Sequence, residues 1–168
     1  DKVSDTYYTY VTDPKKQIKN YTKDNIIVEL FSTEYEMLNK FYQKYMEIKP
    51  TIISGWNTDF FDIPYLYNRA VRVLGNSVAG LLSPISEVKW NEYKKRYVIA
   101  GVSCLDYLSL YKKFSFIQQS SYRLDYIGEV EVGVKKIEYT GTLNDLYENE
   151  LQKFIDYNIR DVKILVYL

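Results

Sequence analysis

An α/β sandwich built on a mixed sheet with flanking helices is the fold class that the sequence predicts, and three observations carry it. Runs rich in β-branched and aromatic residues alternate with segments of helical period along the whole chain. No internal repeat, low-complexity tract or linker breaks that alternation. With 168 residues, 46% of them hydrophobic, the chain has the size of one domain with a core of its own, so residues 1–168 are expected to form a single domain.

Thr6 to Val11, rich in tyrosine and threonine, and the β-branched run Ile26 to Phe31 read as two early strands and sheet neighbours, separated by the polar stretch Asp13 to Asn25. Thr33-Glu34-Tyr35-Glu36 has capping-box spacing, Leu38, Phe41, Tyr42 and Tyr45 recur at helical period, and Pro50 follows the end; together they predict a helix. Thr51-Ile52-Ile53-Ser54-Gly55-Trp56 is a short apolar run of the buried-strand type. After a polar break, Ile63, Leu66, Tyr67, Ala70, Val71 and Leu74 follow helical spacing, so the expectation is strand, turn, helix. Val88-Lys89-Trp90 and Arg96 to Ala100 flank the polar tip Asn91 to Lys95, which predicts a hairpin running on into a strand that ends near Leu105. Asp106 then caps a helix from Tyr107 to about Lys113. Further on, a short helix is expected around Leu124 to Ile127 and extended or irregular chain over Val130 to Tyr139. Asn149, with Gln152 three residues later, starts a last helix whose apolar stripe is Leu151, Phe154, Ile155, Val162, Leu165 and Val166.

Composition removes whole classes of chemistry. Without a single histidine, a Ser-His-Asp triad, a Cys-His dyad, a His-ligated zinc and a histidine general base are impossible, which leaves carboxylates and tyrosines. Cys104 is the one cysteine, so neither an internal disulfide nor a paired-thiol metal site can form, and a reducing, cytoplasmic setting fits. Twenty-two basic residues balance twenty-two acidic ones; any contact with nucleic acid must be local. No apolar run reaches the roughly 18 residues of a membrane span, and the first residues lack a signal peptide's pattern.

Two segments carry candidate chemistry. The first runs from Gly55 through Asn57, Phe61 and Asp62 to Tyr65, at a junction from strand to helix, where ligands commonly bind. In the second, Tyr157 and Asp161 stand four residues apart on the last helix, on the flank of the apolar stripe beside Phe154 and Leu165, and both would be half-buried. A partly desolvated aspartate needs a partner, and a divalent cation is one candidate. Taken singly, each residue has a plainer reading: Asp62 before Ile63-Pro64 as a helix N-cap, Asn57 as a turn residue, Tyr157 with Asp161 as packing.

Taken together, Asn-x-x-x-Phe-Asp between strand and helix, and Tyr-x-x-x-Asp about a hundred residues later, resemble the second and third exonuclease motifs of the proofreading domain of family B DNA polymerases. Ile53-Ser54-Gly55-Trp56-Asn57, Phe61-Asp62-Ile63-Pro64-Tyr65, Tyr67-Asn68-Arg69, Leu105-Asp106-Tyr107, Leu110 to Phe116 and Leu124-Asp125-Tyr126-Ile127 are similar to the replicative polymerases of T-even-type bacteriophages. The resemblance runs from about Asp5 to Leu168.

That resemblance implies a ribonuclease-H-like fold and removal of the 3′-terminal nucleotide of single-stranded or frayed DNA with two ions, Mg²⁺ or Mn²⁺, roughly 3.5 to 4 Å apart. Asp161 would ligate the ion that activates the water, Asp62 would serve the second ion, and the Tyr157 hydroxyl would orient the nucleophile. Asn57 and Phe61 would line the cleft for the primer end. The family's first motif, Asp-x-Glu on its first strand, has no counterpart before Thr6, and Glu29 and Glu34 lie in the wrong element to replace it. The chain is therefore expected to be a piece of a longer polymerase that lacks the domain's first strand and two of four metal ligands, to be close to inactive by itself, and to self-associate through an exposed sheet edge. The implied partners are DNA and the rest of the polymerase, in the host cytoplasm if phage-encoded. A non-catalytic DNA-binding fragment and a stand-alone exonuclease with tyrosine in its third motif stay open beside this reading.

Overall fold

The computed structural model describes residues 1–134 and 137–168. In chain order its elements are β1 (Tyr7–Thr12), β2 (Tyr21–Lys23), β3 (Ile26–Phe31), α1 (Glu34–Ile48), β4 (Ile52–Gly55), α2 (Asp62–Leu74) and α3 (Asn76–Ala79) with a 3-10 turn over Gly80–Leu82. β5 (Val88–Asn91), β6 (Arg96–Ile99), β7 (Ser103–Asp106), α4 (Tyr107–Phe114), α5 (Leu124–Val132), α6 (Leu143–Asn149) and α7 (Leu151–Tyr167) complete it. The chain divides into two compact units, residues 1–33 with 119–168, and residues 34–118.

In the first unit, β3 lies between β1, to which it is parallel, and β2, to which it is antiparallel. Val11 and Val28 on this mixed sheet pack with Leu151, Ile155 and Ile159 of α7 as one apolar cluster. The three-residue β2 falls inside the polar stretch Asp13 to Asn25: Tyr21-Thr22-Lys23 is too short to show a period. Helix α7 has a second buried face, where Ile164 meets α5 so closely that a Cβ on Gly128 would stand 2.6 Å from its Cγ2. The expected stripe is corrected accordingly: Ile159 and Ile164 are buried, while Val162 and Val166 are 44% and 37% exposed.

Three boundaries in this unit also differ from expectation. Helix α5 runs on to Val132 and ends at Gly133, whose left-handed φ of 69° suits only a residue without Cβ strain. The irregular chain expected over Val130 to Tyr139 thus begins later, and its Lys135 and Lys136 lie outside the described residues. The unexpected α6 begins with a capping box in which the Thr142 hydroxyl accepts from the Asp145 amide and the Asp145 carboxylate accepts from the Thr142 amide. Asn149, expected to cap the last helix, is instead the final residue of α6, and α7 starts after Glu150 with no side-chain cap.

The second unit has its own core of Tyr42, Ile63, Ala70, Ala79, Leu82 and Ile99. Helices α1 and α2 are where the periodicity placed them, and Arg69 of α2 grips Glu34 at the start of α1 with two parallel hydrogen bonds that hold the carboxyl below its usual range. β5 and β6 form the expected antiparallel hairpin. It does not run on into β7: a turn intervenes, and β7 pairs in parallel with β4 in a separate two-stranded sheet. β4 is apolar but not buried, since Ile52 is 59% exposed; among the described residues its only strand partner is β7. The described strands thus form three sheets instead of one. No helix among the described residues is long and apolar enough to cross a membrane.

Two tyrosines in this core give the unit an alkaline limit. Burial pushes the Tyr45 phenol up to about 12 and raises Tyr42 as well, and their hydroxyls donate to the carbonyls of Leu82 and Ala79. Both phenols are neutral when folded but ionise near 10 in the unfolded chain, so their contribution is complete below pH 10 and is lost as pH rises toward 12. The urea midpoint followed by tryptophan fluorescence is expected to drop between about pH 10 and pH 12, and to drop less steeply in Tyr45→Phe. A midpoint that stays level over that range would contradict the burial of these hydroxyls.

Candidate active site

The parallel pairing of β4 with β7 puts Gly55 opposite Asp106, and both strands lead from those ends into helices. Side chains and backbone amides converge at such carboxyl ends of parallel strands. The connection from Gly55 to Asp62 turns sharply: Asn57 takes a left-handed φ of 64°, which asparagine tolerates, and its carbonyl accepts from the amides of Phe60 and Phe61. Glycine at position 55 lets Thr58 pack against it: the Thr58 Cγ2 methyl lies 2.1 Å from where a Cβ would be, so any larger residue would have to turn that side chain away.

Phe61 projects into solvent at 65% exposure and its ring stacks on that of Tyr65, 64% exposed, at 6.4 Å and 9°. Asp62, an exposed residue, is the first of α2. The plainer reading of Asp62 as an N-cap does not hold: Phe61 takes the cap position, with φ −122° and ψ −68°, and no side chain caps the helix. Crowding by surrounding protein raises the Asp62 carboxyl above the usual carboxylate range; its own backbone amide opposes the rise and the charge of Asp106 adds to it.

Asp106 does cap α4, accepting from the Ser109 amide, but it does more. Only 4% exposed, its carboxylate also accepts from the amides of Asn57 at 3.2 Å and Asp59 at 3.2 Å. The Asp59 carboxylate, itself buried, pairs with Arg96 at the start of β6. Sequence reasoning found Asp106 only as a cap and missed Asp59 and Arg96, since contacts across 37 to 49 positions leave no local signal.

In the other unit, Tyr157 and Asp161 lie on α7, both half-buried as the spacing implied. The Tyr157 ring meets Tyr139 edge to face at 5.4 Å and 85°. The five expected site residues thus fall into two groups, Asn57, Phe61 and Asp62 in one unit and Tyr157 with Asp161 in the other. Among the described residues no three acidic or thiol side chains stand together as a metal cluster.

The sequence profile of the exonuclease domain of DNA polymerase family B matches residues 6–127, and the chain belongs to that family. Among curated relatives, it is 44% identical over 145 residues to the DNA-directed DNA polymerase of Escherichia phage RB69 and 40% identical over 146 residues to that of Enterobacteria phage T4, each match covering 83% of this chain. It is also 32% identical over 160 residues, 86% of the chain, to DNA polymerase 1 of Saccharolobus solfataricus. The chain spans 16% of the length of each of these relatives. The matched profile contains Asn57, Phe61, Asp62 and Asp106 and stops short of Tyr157 and Asp161.

Proposed function

We propose that residues 1–168 form one ribonuclease-H-like domain that removes nucleotides from the 3′ end of single-stranded or frayed DNA as the proofreading part of a cytoplasmic DNA polymerase. The observation that carries this reading is the placement of the family's Asn-x-x-x-Phe-Asp segment at the carboxyl end of a parallel strand pair, with Asp62 opening the next helix. The candidate ligands Asp62 and Asp161 offer only carboxylate oxygens, and the chain has no histidine, which suits Mg²⁺ or Mn²⁺. The Asp62 carboxyl, raised by crowding and by Asp106, is a site where a cation would relieve the excess negative charge.

Asp62 and Asp161 would hold the ions, which when bound supply Lewis acidity at the scissile phosphate. The Tyr157 hydroxyl would orient the attacking water. Phe61 offers a flat, exposed face on which a terminal base of any identity can stack, and Asn57 lines the same loop. Tyr157→Phe, which removes one orienting hydrogen bond worth about 1.5 to 3 kcal/mol, is expected to slow DNA digestion by roughly tenfold to a hundredfold. Single-turnover kinetics on the full-length protein check this; an unchanged rate would favour a packing role for Tyr157, such as its contact with Tyr139.

A further inference from the structure

We propose that Asp106 and Arg96 are positioning residues that clasp the loop of residues 56–61 from behind and so fix where Asp62 stands. The inference rests on the exonuclease reading of Asp62 and extends it to residues outside the motif. Capping α4 needs one acceptor for the Ser109 amide, yet the Asp106 carboxylate takes three amides, two of them from this loop. A carboxylate that is 4% exposed is costly to bury unless each oxygen is satisfied, and the loop amides on its Oδ1 and Oδ2 supply that satisfaction. The amides of Asn57 and Asp59 are thereby held against one rigid group at the end of β7.

The second anchor is the Asp59 side chain, 6% exposed, whose Oδ2 pairs with the Arg96 guanidinium, while its Oδ1 is buried with no hydrogen-bond partner among the described residues. A half-satisfied buried ion pair is a poor stabiliser, because desolvation offsets most of its attraction. What it does supply is registry: it ties the loop to the turn end of the β5–β6 hairpin, where Arg96 pairs with Asn91. Asp62 follows Asp59 by three residues, so a loop released from either anchor would carry the Asp62 carboxylate with it. A misplacement of about 1 Å at a reacting centre costs on the order of a hundredfold in rate.

The test compares Asp106→Asn, Arg96→Gln, Arg96→Lys and Asp62→Ala in the full-length protein, with kcat and KM on single-stranded DNA and amide hydrogen exchange as separate readouts. Asparagine keeps Oδ1 for the Ser109 and Asn57 amides and is itself a good N-cap, but turns an NH₂ toward the Asp59 amide. Asp106→Asn is expected to speed exchange in the peptide spanning residues 55–61 by about tenfold, to leave α4 protected, and to lower kcat by about tenfold or more with KM within about twofold. Arg96→Gln is expected to act in the same direction, and Arg96→Lys to recover part of the loss.

Unchanged exchange in the loop of both Asp106→Asn and Arg96→Gln would overturn the clasp. So would a kcat loss accompanied by equal loss of protection across residues 34–118, which marks general destabilisation. If Asp106→Asn fails to fold, the Arg96 pair decides alone. Full activity in Asp62→Ala would remove the exonuclease reading and the positioning role with it, whereas an inactive Asp62→Ala beside an unaffected Asp106→Asn and Arg96→Gln would remove the clasp only.

Discussion

Asp62→Ala or Asp161→Ala in the full-length protein is expected to slow digestion of single-stranded DNA by about a thousandfold, while DNA affinity stays within about threefold. On the proposed reading each substitution removes an oxygen donor for a divalent ion, and a thousandfold corresponds to about 4 kcal/mol of transition-state stabilisation, the several kcal/mol that Lewis-acid catalysis supplies at a phosphoryl group. On the same reading affinity is spared, because base stacking and phosphate contacts, not the two carboxylates, would hold the strand. The ratio of kcat loss to KM change, measured in Mg²⁺ and again in Mn²⁺, separates this from a binding role. Near wild-type turnover in Asp161→Ala would detach the last helix from the chemistry and leave Asp62 to be explained without it.

Tyr42→Ala should have the largest effect on stability, about 3 to 5 kcal/mol. Tyr42 is 1% exposed at the centre of the second unit's core, with Phe41 edge to face at 5.5 Å, and truncation leaves a cavity among side chains that are themselves buried. Both tryptophans, Trp56 and Trp90, lie in that unit, so the urea midpoint of their fluorescence in the 168-residue chain reports its unfolding. Tyr42→Phe, which gives up only a long 3.4 Å hydrogen bond to the Ala79 carbonyl, should cost about 1 kcal/mol or less. Equal losses for the two variants would mean that the hydroxyl, and not the ring, holds the core together.

What the sequence made legible was local. Helix α2 was readable because Ile63, Leu66, Tyr67, Ala70, Val71 and Leu74 repeat at its period and all join one core. The β5–β6 hairpin was readable from a polar tip between two apolar runs. Capping signals worked where a side chain does cap, as at Asp106, and misled where it does not. Thr142 with Asp145 was the true capping box of α6, while the similar spacing of Asn149 with Gln152 marks a helix end. The apolar stripe of α7 was misplaced toward Val162 and Val166 because burial there is decided by which neighbours arrive: the sheet at Leu151, Ile155 and Ile159, and Gly128 of α5 at Ile164.

The site divides along the same line. Asn57, Phe61, Asp62, Tyr157 and Asp161 could be named as candidates because short motifs fix their spacing on elements that the sequence also predicts. Their surroundings were not. The Asp106 carboxylate holds amides 47 and 49 positions away, and Asp59 pairs with Arg96 across 37 positions. Such contacts depend on the parallel register of β4 with β7, which neither strand's composition specifies.

The central claim is that Asp62 belongs to an enzyme that shortens DNA from its 3′ end. The most direct measurement incubates the full-length protein in Mg²⁺ without nucleotides, on a single-stranded oligonucleotide labelled at its 5′ end, with Asp62→Ala as the control. A ladder of labelled products shortening one nucleotide at a time, absent from the control, is the result expected. Intact oligonucleotide, release of the 5′ label as a mononucleotide, or the same ladder from Asp62→Ala would contradict the account.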